Sequence, residues 1–447
     1  MKKWVSFSVL LLCGAALVFP SILTNSNQSA QYFRLLSRNP STDIDAVYYN
    51  PAGLTKLANG WHFSLSNQTI FQEKKIDNAF PLLNNGNYSG KTTVPFFPNV
   101  YAVYKKDRLA LSLGFGPNAG GGSADYNRGL PSFETPIALL PLLLTSMGIP
   151  TTKYASDIVF KGSSIFLGFQ ANASYALSDA ISVAAGIRYI SAKNTYEGDI
   201  KNIKINASIP PLNINPTAQM ISAAQFFTMI GQPALARSVG DMTVDAEQTG
   251  TGLTPILSLN LSPIDGLNIS AKYEFITKLE LLNKTAKDDT GMFPDGLKTN
   301  RDIPAILSLG ASYALTPKWR ALVSFNQFFD KNVNWDGEEK LIDKNTYELS
   351  VGTEFDLSDM LTVSTGYLRT QFGLSKDYQS DLGFELSSDA VALGARLKLG
   401  KLDLDLGGLY SFYKDDKKTL RSPIFGAYSE SYKKTTVGFA VGLGYHF

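Results

Sequence analysis

The most regular feature of this chain is an alternation of apolar and polar positions with a period of two. From Val437 to Phe447 the odd positions are apolar or aromatic, whereas the even positions are small or polar. Successive side chains of a β-strand point to opposite faces, so this pattern predicts a strand with one apolar face. The same alternation, often with charges on the second face, recurs at 167–175, 181–189, 267–275, 307–313, 347–357, 391–399 and 401–406.

The connections between these segments alternate in length. Tight turns are predicted at 105–107, 178–179, 263–266, 316–318, 358–359 and 400–401, and longer segments at about 119–160, 198–242, 284–300, 331–343, 373–380 and 414–431. Alternating short periplasmic turns and long external loops are typical of transmembrane barrels, in which the apolar face meets lipid and the other lines a wet lumen. We therefore predict an all-β fold, an antiparallel transmembrane barrel of about 14 strands over residues 61–447.

The N-terminus has the pattern of an export signal. Lys2 and Lys3 precede an apolar stretch that runs to about Leu23, which is typical of a secretory signal peptide. We assign the signal to residues 1–30 and leave its cleavage site open, with Ser26 and Ala30 as candidates. An uncleaved anchor is the alternative, which the glycine and proline inside the stretch disfavour.

Composition excludes several classes of function. The formal net charge is +2 and only 18% of residues are charged, so the chain lacks the excess of positive charge expected of a nucleic-acid-binding protein. The only cysteine, Cys13, lies in the expected signal, which excludes thiolate metal sites and disulfides from the mature chain. His62 and His446 are the only histidines, and both fall at predicted periplasmic strand ends without a serine motif nearby. We therefore expect no catalytic residue, no metal and no cofactor.

Two of the long loops contain apolar segments, Pro136–Ile149 and Pro216–Val239, which are candidates for short helices at the external mouth. Two interpretations stay open. The segments either pack over the mouth or form a groove where an apolar substrate first binds, since exposed apolar patches mark binding sites.

Residues 31–60 lack the alternation of a strand. A barrel of this size has a lumen wide enough to leak, and a segment of this length is sufficient to fill it, although a periplasmic tail is the alternative. Within it, the sequence DAVYYNPAGL from Asp45 to Leu54 resembles the hatch motif of the FadL family, outer-membrane transporters of long-chain fatty acids and other hydrophobic compounds. Strand-turn-strand units such as 303–319 are also similar to this family, and the resemblance extends over the mature chain.

The resemblance implies a 14-stranded barrel with an N-terminal hatch at 31–60, whose motif here is Asn50, Pro51 and Ala52. It also implies an inward kink of the third strand, here 109–122, that opens the barrel wall for lateral exit of substrate. The residues expected to form this kink are Gly114, Gly116 and Pro117, because glycine permits a bend and proline removes a ladder donor. The alternative is an ordinary strand end before a glycine-rich loop.

We accordingly expect passive uptake of hydrophobic molecules, above all long-chain fatty acids, in the outer membrane of a Gram-negative bacterium. Substrate would be captured at the external loops, pass a rearranged hatch and leave through the wall. Arg188, Lys272 and Arg396 are candidate lumen cations for a substrate carboxylate, with pairing to lumen carboxylates such as Glu274 or Glu354 as the alternative.

The expected partners are the hydrophobic substrate, outer-membrane lipid, lipopolysaccharide and the barrel assembly machinery, with no nucleic acid and a monomeric state. Two other functions stay open. A general porin for polar solutes would conduct ions, and a structural or adhesive barrel would bind a host partner through its external loops.

Overall fold

The computed structural model describes residues 26–447, and the first 25 residues of the expected signal lie outside this range. The chain forms a closed antiparallel barrel of 14 strands, as the alternation predicted. The strands are β1 Gly60–Asn78, β2 Asn87–Lys106, β3 Leu109–Tyr126, β4 Tyr154–Ala176, β5 Ile181–Ile205, β6 Met242–Leu261, β7 Leu267–Glu274 with Glu280–Asp288, β8 Lys298–Asn300 with Ile306–Thr316, β9 Trp319–Phe328, β10 Tyr347–Asp356, β11 Leu361–Gln371, β12 Ser388–Leu399, β13 Leu402–Tyr413 with Asp416–Ser422, and β14 Gly426–His446.

The barrel closes between its first and last strands. β14 pairs with β1 in unbroken register from His62 opposite His446 to Asn78 opposite Glu430. The Trp61 amide also donates to the carbonyl of Phe447, at 2.9 Å. Closure leaves neither strand with a free edge, so every strand of the sheet has two neighbours.

The alternation along each strand separates the outer surface from the lumen. On β1 the side chains of Trp61, Phe63 and Leu65 are exposed on the outer face, whereas Ser64 and Ser66 are buried inside. A soluble β-sandwich would bury the apolar face instead, so this polarity is that of a barrel that faces lipid. Among residues 26–447, no helix is both long and apolar enough to cross a bilayer.

The two ends of the barrel differ as expected. Each of the tight turns predicted from the sequence connects two strands at one end, which we call the turn end. The opposite, loop end has strands longer than the apolar band requires, such as β5, so the long loops begin later than the sequence suggested. The helices, in chain order, are α1 Ala30–Leu35, α2 Ala46–Tyr49, α3 Pro131–Ala138, α4 Leu140–Ser146, α5 Ala223–Met229 and α6 Pro233–Ser238, with short 3-10 helices at Pro51–Lys56, Pro210–Leu212, Asp330–Asn332 and Glu338–Leu341.

Helices α4 to α6 lie within the two apolar loop segments predicted to be helical, whereas α3 begins before the first of them, at Pro131, and overlaps it only from Pro136. Their buried side chains, including Leu140, Leu144, Phe226 and Phe227, form one hydrophobic cluster with residues of β4 and β5. The apolar residues of these loops therefore pack largely against one another at the loop end, which favours the first of the two interpretations.

Residues 26–59, which we call the N-terminal segment, lie inside the barrel. Ser26 and Gln28, which we assigned to the signal, form hydrogen bonds there with Glu348, Asn99 and Pro117 of the wall. This arrangement favours the cleavage site near Ser26 over the one at Ala30. Helix α1 is fully buried and contacts strands β10 to β14. The wall approaches it so closely that a Cβ added to Gly366 of β11 would lie 1.7 Å from the carbonyl oxygen of Leu35. Glycine is required at this position because any side chain would displace either the helix or the strand.

Candidate functional site

The N-terminal segment is held to the barrel wall by a network of buried ion pairs. Arg34 of α1 is fully buried, and its guanidinium group lies 2.7 Å from Glu354 and 2.9 Å from Asp405. Arg396 also contacts Asp405, at 2.9 Å, and reaches Asp43 of the segment at 3.2 Å. Buried ions are tolerated only when they are paired and hydrogen-bonded, and here the pairs join the segment to strands β10, β12 and β13.

A second buried cation, Arg38, forms ion pairs within the N-terminal segment itself. Arg38 donates to both carboxylate oxygens of Asp45, at 2.6 and 2.8 Å, and also contacts Asp43 at 2.9 Å. Burial alone would lower the pKa of Arg38, but the charges of Asp45 and Asp43 outweigh it and raise this pKa above its ordinary value. The guanidinium charge is therefore permanent, and it fixes the loop between α1 and α2.

Asn50 of the expected hatch motif joins the segment to β6. Its side-chain amide donates to the Oδ1 of Asn260 at 2.7 Å and to the backbone carbonyl of Ser41 at 3.0 Å. Its own Oδ1 accepts a hydrogen bond from the hydroxyl of Ser258, at 3.0 Å. The Asn50 side chain is fully buried, so each of these bonds replaces a hydrogen bond that its amide would otherwise form with water.

Pro51 and Ala52 extend the same attachment to other strands. The carbonyl of Pro51 accepts from the Ser174 hydroxyl of β4 at 2.7 Å, and the amide of Ala52 donates to the Ser258 hydroxyl at 3.3 Å. One turn later Thr55 shares a 2.6 Å hydrogen bond with Ser182 of β5. The motif thus lies near the turn end of the lumen, where it connects the segment to β4, β5 and β6.

The three candidate substrate cations all have carboxylate partners. Arg188 and Lys272 both contact Glu274, at 2.6 and 2.5 Å, and both lie over the ring of Tyr48, at 4.6 and 4.5 Å from its centroid. Lys272 also donates to the Tyr48 carbonyl at 2.8 Å. Arg396 is paired as described above. The structure therefore places these cations against the N-terminal segment.

The ladder between β2 and β3 is interrupted. The two strands pair from the turn end as far as Val100 and Phe115, and pairing resumes only at Thr92 and Ala124. Over the intervening stretch β2 stays paired with β1, with one register shift at Pro95 and Phe96, and β3 stays paired with β4, with two register shifts. The break therefore lies between two strands that are each held on their other side.

The residues expected to form a kink lie at the start of this interruption. Gly114 still pairs with Tyr101 of β2, whereas Gly116 and Pro117 have no partner on β2. Proline lacks the donor that a ladder requires, and β2 contributes two more prolines, Pro95 and Pro98, on the opposite edge. The prolines of β2 are a signal that the sequence analysis missed.

A cavity of about 430 Å³ lies in the lumen between the N-terminal segment and the loop end. Tyr32 and Leu36 form part of its floor, and residues from both edges of the interrupted ladder, including Val94 and Gly120, form part of its wall. Its further lining includes Asn27, Ile70, Lys74, Phe97, Phe160, Tyr196, Glu348, Leu368, Leu409, Tyr413 and Lys434. The lining is mixed, with apolar side chains on β1, β2, β11 and β13 and charged ones on β1, β10 and β14.

A closed barrel of 14 strands is the fold that the resemblance to FadL-type outer-membrane transporters implied. Solved structures with this fold include a FadL homologue from Pseudomonas aeruginosa, with 12% identity and a TM-score of 0.65 over 96% of this chain and all of that one. The toluene transporter TodX of Pseudomonas putida is 14% identical, with a TM-score of 0.59 over 96% of this chain and 100% of that chain. The monoaromatic hydrocarbon channel CymD is 14% identical, with a TM-score of 0.52 over 97% and 99%.

At this level of identity the likeness establishes the fold. The resemblance to FadL-type transporters inferred from the sequence is therefore confirmed as a likeness of structure. No family model and no curated protein matches the sequence.

Proposed function

We propose that the protein is a channel of the Gram-negative outer membrane for passive uptake of hydrophobic small molecules, with long-chain fatty acids as the expected substrates. The long loops then face the outside and the short turns face the periplasm. The observation that carries this proposal is the cavity bordered by both edges of the interrupted β2–β3 ladder. Substrate enters from the loop end and leaves sideways into the bilayer between these strands, downhill and without an energy source.

The N-terminal segment acts as the hatch of this channel. Gln28 contacts both edges of the interrupted ladder: its amide donates to the Pro117 carbonyl at 2.8 Å, and its Oε1 accepts from Asn99 at 3.0 Å. The Gln28 carbonyl also accepts from the Tyr101 hydroxyl, at 2.5 Å. Opening the route requires these bonds to break, whereas Arg188, Lys272 and Arg396 keep the rest of the segment in place around Asn50, Pro51 and Ala52.

A reversible cross-link between the edges tests the lateral route. A Cβ added to Gly122 of β3 would lie 2.6 Å from a methyl carbon of Val94 on β2, so the two Cβ atoms come within about 4 Å, which suits a disulfide. We expect the double variant V94C/G122C, once oxidised, to take up radiolabelled oleate into cells at least about tenfold more slowly than the wild type. Reduction should restore the rate, because the mature chain has no other cysteine.

The matched control places a disulfide on the same two strands where they are fully paired. Ala102 and Leu113 are direct partners below the interruption, and the oxidised variant A102C/L113C should transport at the wild-type rate. Unchanged uptake by oxidised V94C/G122C, or equal loss in both double variants, would refute exit between β2 and β3.

Monoaromatic hydrocarbons are a second candidate class of substrate. The comparison structures that support it are titled as toluene transporters and as a monoaromatic hydrocarbon channel. The same cross-linked variants assayed with radiolabelled toluene distinguish the two classes, since only the transported class responds to oxidation.

A further inference from the structure

The loop between β11 and β12, residues 372–387, folds into the mouth of the barrel, and we call it the roof loop. Its Leu382 lines the cavity, and its Asp381 carboxylate accepts a hydrogen bond from the amide of Ser132 in α3, at 2.7 Å. Along the wall, four strands (β13, β14, β1 and β2) separate β12 from β3, the strand that α3 follows. The contact therefore lies across the lumen rather than along its rim, and the roof loop covers the cavity on its loop-end side.

The roof loop completes an apolar layer above the cavity. Its Phe384 and Leu386 are buried in one hydrophobic cluster with side chains of β1 to β4 and β14, including Tyr88, Tyr126 and Tyr432. The rings of Phe384 and Tyr432 have their centroids 5.0 Å apart. A molecule that enters from the loop end has to pass this layer, so part of the layer must move to admit it.

The tip of the roof loop, residues 379–386, is held together by its own hydrogen bonds. The Gln379 side-chain amide donates to the carbonyl of Glu385 at 2.9 Å, and its Oε1 accepts from the Glu385 amide at 3.2 Å. Between them, Ser380 and Gly383 exchange two backbone hydrogen bonds, at 3.1 and 3.2 Å. None of these bonds involves the wall, so the tip can move as one piece without losing them.

The attachments of the tip to the rest of the protein include three polar contacts. Besides the contact of Asp381 with Ser132, Glu385 lies 3.1 Å from Lys434 of β14. Lys418 of β13 donates to the carbonyl of Gln379 at 3.0 Å. Such contacts exchange readily for contacts with water, because the net contribution of a hydrogen bond or of a partly exposed ion pair to stability is small.

The helices at the loop end are held much more firmly than the roof loop. Helices α3 to α6 contribute eight buried side chains to the hydrophobic cluster that they share with β4 and β5. The roof loop contributes two to its own cluster and contains no helix and no strand. Segments with few buried apolar contacts and no regular structure open at the lowest free energy. The roof loop is therefore the part of the mouth that opens most easily.

The closed position is also costly for one of its contacts. Burial raises the pKa of the Asp381 carboxyl more than its hydrogen bonds lower it. The carboxylate is thus partly desolvated while the tip lies against α3, and it regains water when the tip moves away. This cost weakens the closed position relative to an open one.

We propose that the tip of the roof loop is the entry gate of the cavity, which swings away from α3 to admit substrate while helices α3 to α6 stay packed. This inference rests on the proposed function and specifies where the loop end opens. The gate closes the cavity on the side opposite to the N-terminal segment, so that a bound molecule is enclosed from both ends of the barrel.

A reversible bridge between the tip and α3 tests this gate. The contact between Asp381 and Ser132 brings the two positions close enough for a two-carbon bis-methanethiosulfonate reagent to link cysteines placed there. We expect cells with the variant S132C/D381C to take up radiolabelled oleate at least about tenfold more slowly after bridging than before, and reduction should restore the rate. The mass of the purified protein shows whether the bridge has formed, and its failure to form would contradict the contact itself.

The matched control places the same bridge at the base of the roof loop. Leu374 forms an isolated β-bridge with Ile342 of the loop between β9 and β10, and bridged I342C/L374C should transport at its unbridged rate. Unchanged uptake by bridged S132C/D381C overturns the gate, as does an equal loss in both pairs. The variant V94C/G122C reports separately on the proposed function: if its oxidation slows uptake and the bridge from the tip to α3 does not, only the gate fails.

Discussion

At the scale of single residues, the lumen is organised by buried charges that join distant parts of the chain. Arg34 and Glu354 are 320 positions apart, yet their side chains meet at 2.7 Å within a site from which water is excluded. The alternation of strand residues predicts that Glu354, Asp405 and Arg396 face inward, because each shares a face with other polar positions. It cannot predict their partners, because a barrel brings together residues with no relation in sequence.

Replacing Arg34 should show how strongly these charges hold the N-terminal segment. Arg34→Met leaves Glu354 and Asp405 buried with one cation fewer, and breaking such a pair typically costs about 3 kcal/mol or more of folding free energy. We expect a loss near the lower end of that range, because Arg320 and Arg396 remain close to these carboxylates. Guanidinium-induced unfolding in detergent micelles, followed by tryptophan fluorescence, measures it.

Arg320→Met is the control for this prediction. Arg320 contacts the same Glu354, at 3.1 Å, but its side chain is 49% exposed. Its removal should cost less than about 1 kcal/mol, as is usual for exposed pairs. Equal losses for the two arginines would mean that burial does not set the strength of this network.

At the scale of strands and helices, the sequence predicted most strands and turns of the barrel wall. It predicted less well where a strand is longer than usual or loses its pairing. Positions of the strands and turns followed from the alternation because one face of each strand meets lipid. Toward the loop end the strands no longer face lipid, and β5 continues to Ile205 without a regular apolar face. The sequence therefore predicted this strand to be shorter than it is. The glycines and Pro117 of β3 indicated a bend, but which neighbouring strand loses its pairing depends on the prolines of β2 as well.

The close approach of β11 to helix α1 leads to a prediction about this contact. A side chain at Gly366 would collide with the backbone of Leu35, since even a Cβ would lie 1.7 Å from its carbonyl oxygen. Gly366→Val should therefore displace α1 from the wall and make the lumen leaky. Sensitivity of intact cells to a large polar antibiotic such as vancomycin measures the leak, and we expect it to rise several-fold.

Gly408 of β13 is a suitable control for that variant. It is also a strand glycine, but an added Cβ would find its nearest neighbour at 3.6 Å, an ordinary contact with Phe439. Gly408→Val should keep the wild-type sensitivity. If Gly366→Val assembles in the membrane at normal levels and shows no leak, α1 is not required to seal the lumen.

At the scale of the whole molecule, the lumen is divided along its axis. The N-terminal segment fills the turn end, the cavity lies above it, and the helical loops pack together at the loop end. The wall is closed by its own ladder between β1 and β14 and takes no part of its pairing from the segment. A barrel of this size without its internal segment should therefore persist as an open pore.

Deleting residues 31–57 tests this division and separates the proposed transporter from a general porin. The lumen side of the wall would then expose Glu354, Asp405, Arg188 and Lys272 to water, and charged walls of this kind keep a wide barrel filled with solvent. In planar bilayers the wild-type protein should show little steady ion conductance, whereas the deletion variant should form long-lived conducting pores. Heat-modifiable mobility on gels and a β-rich circular dichroism spectrum would show that the variant still folds. Large conductance by the wild type, unchanged by the deletion, would support the porin alternative, because the segment would then not obstruct the lumen.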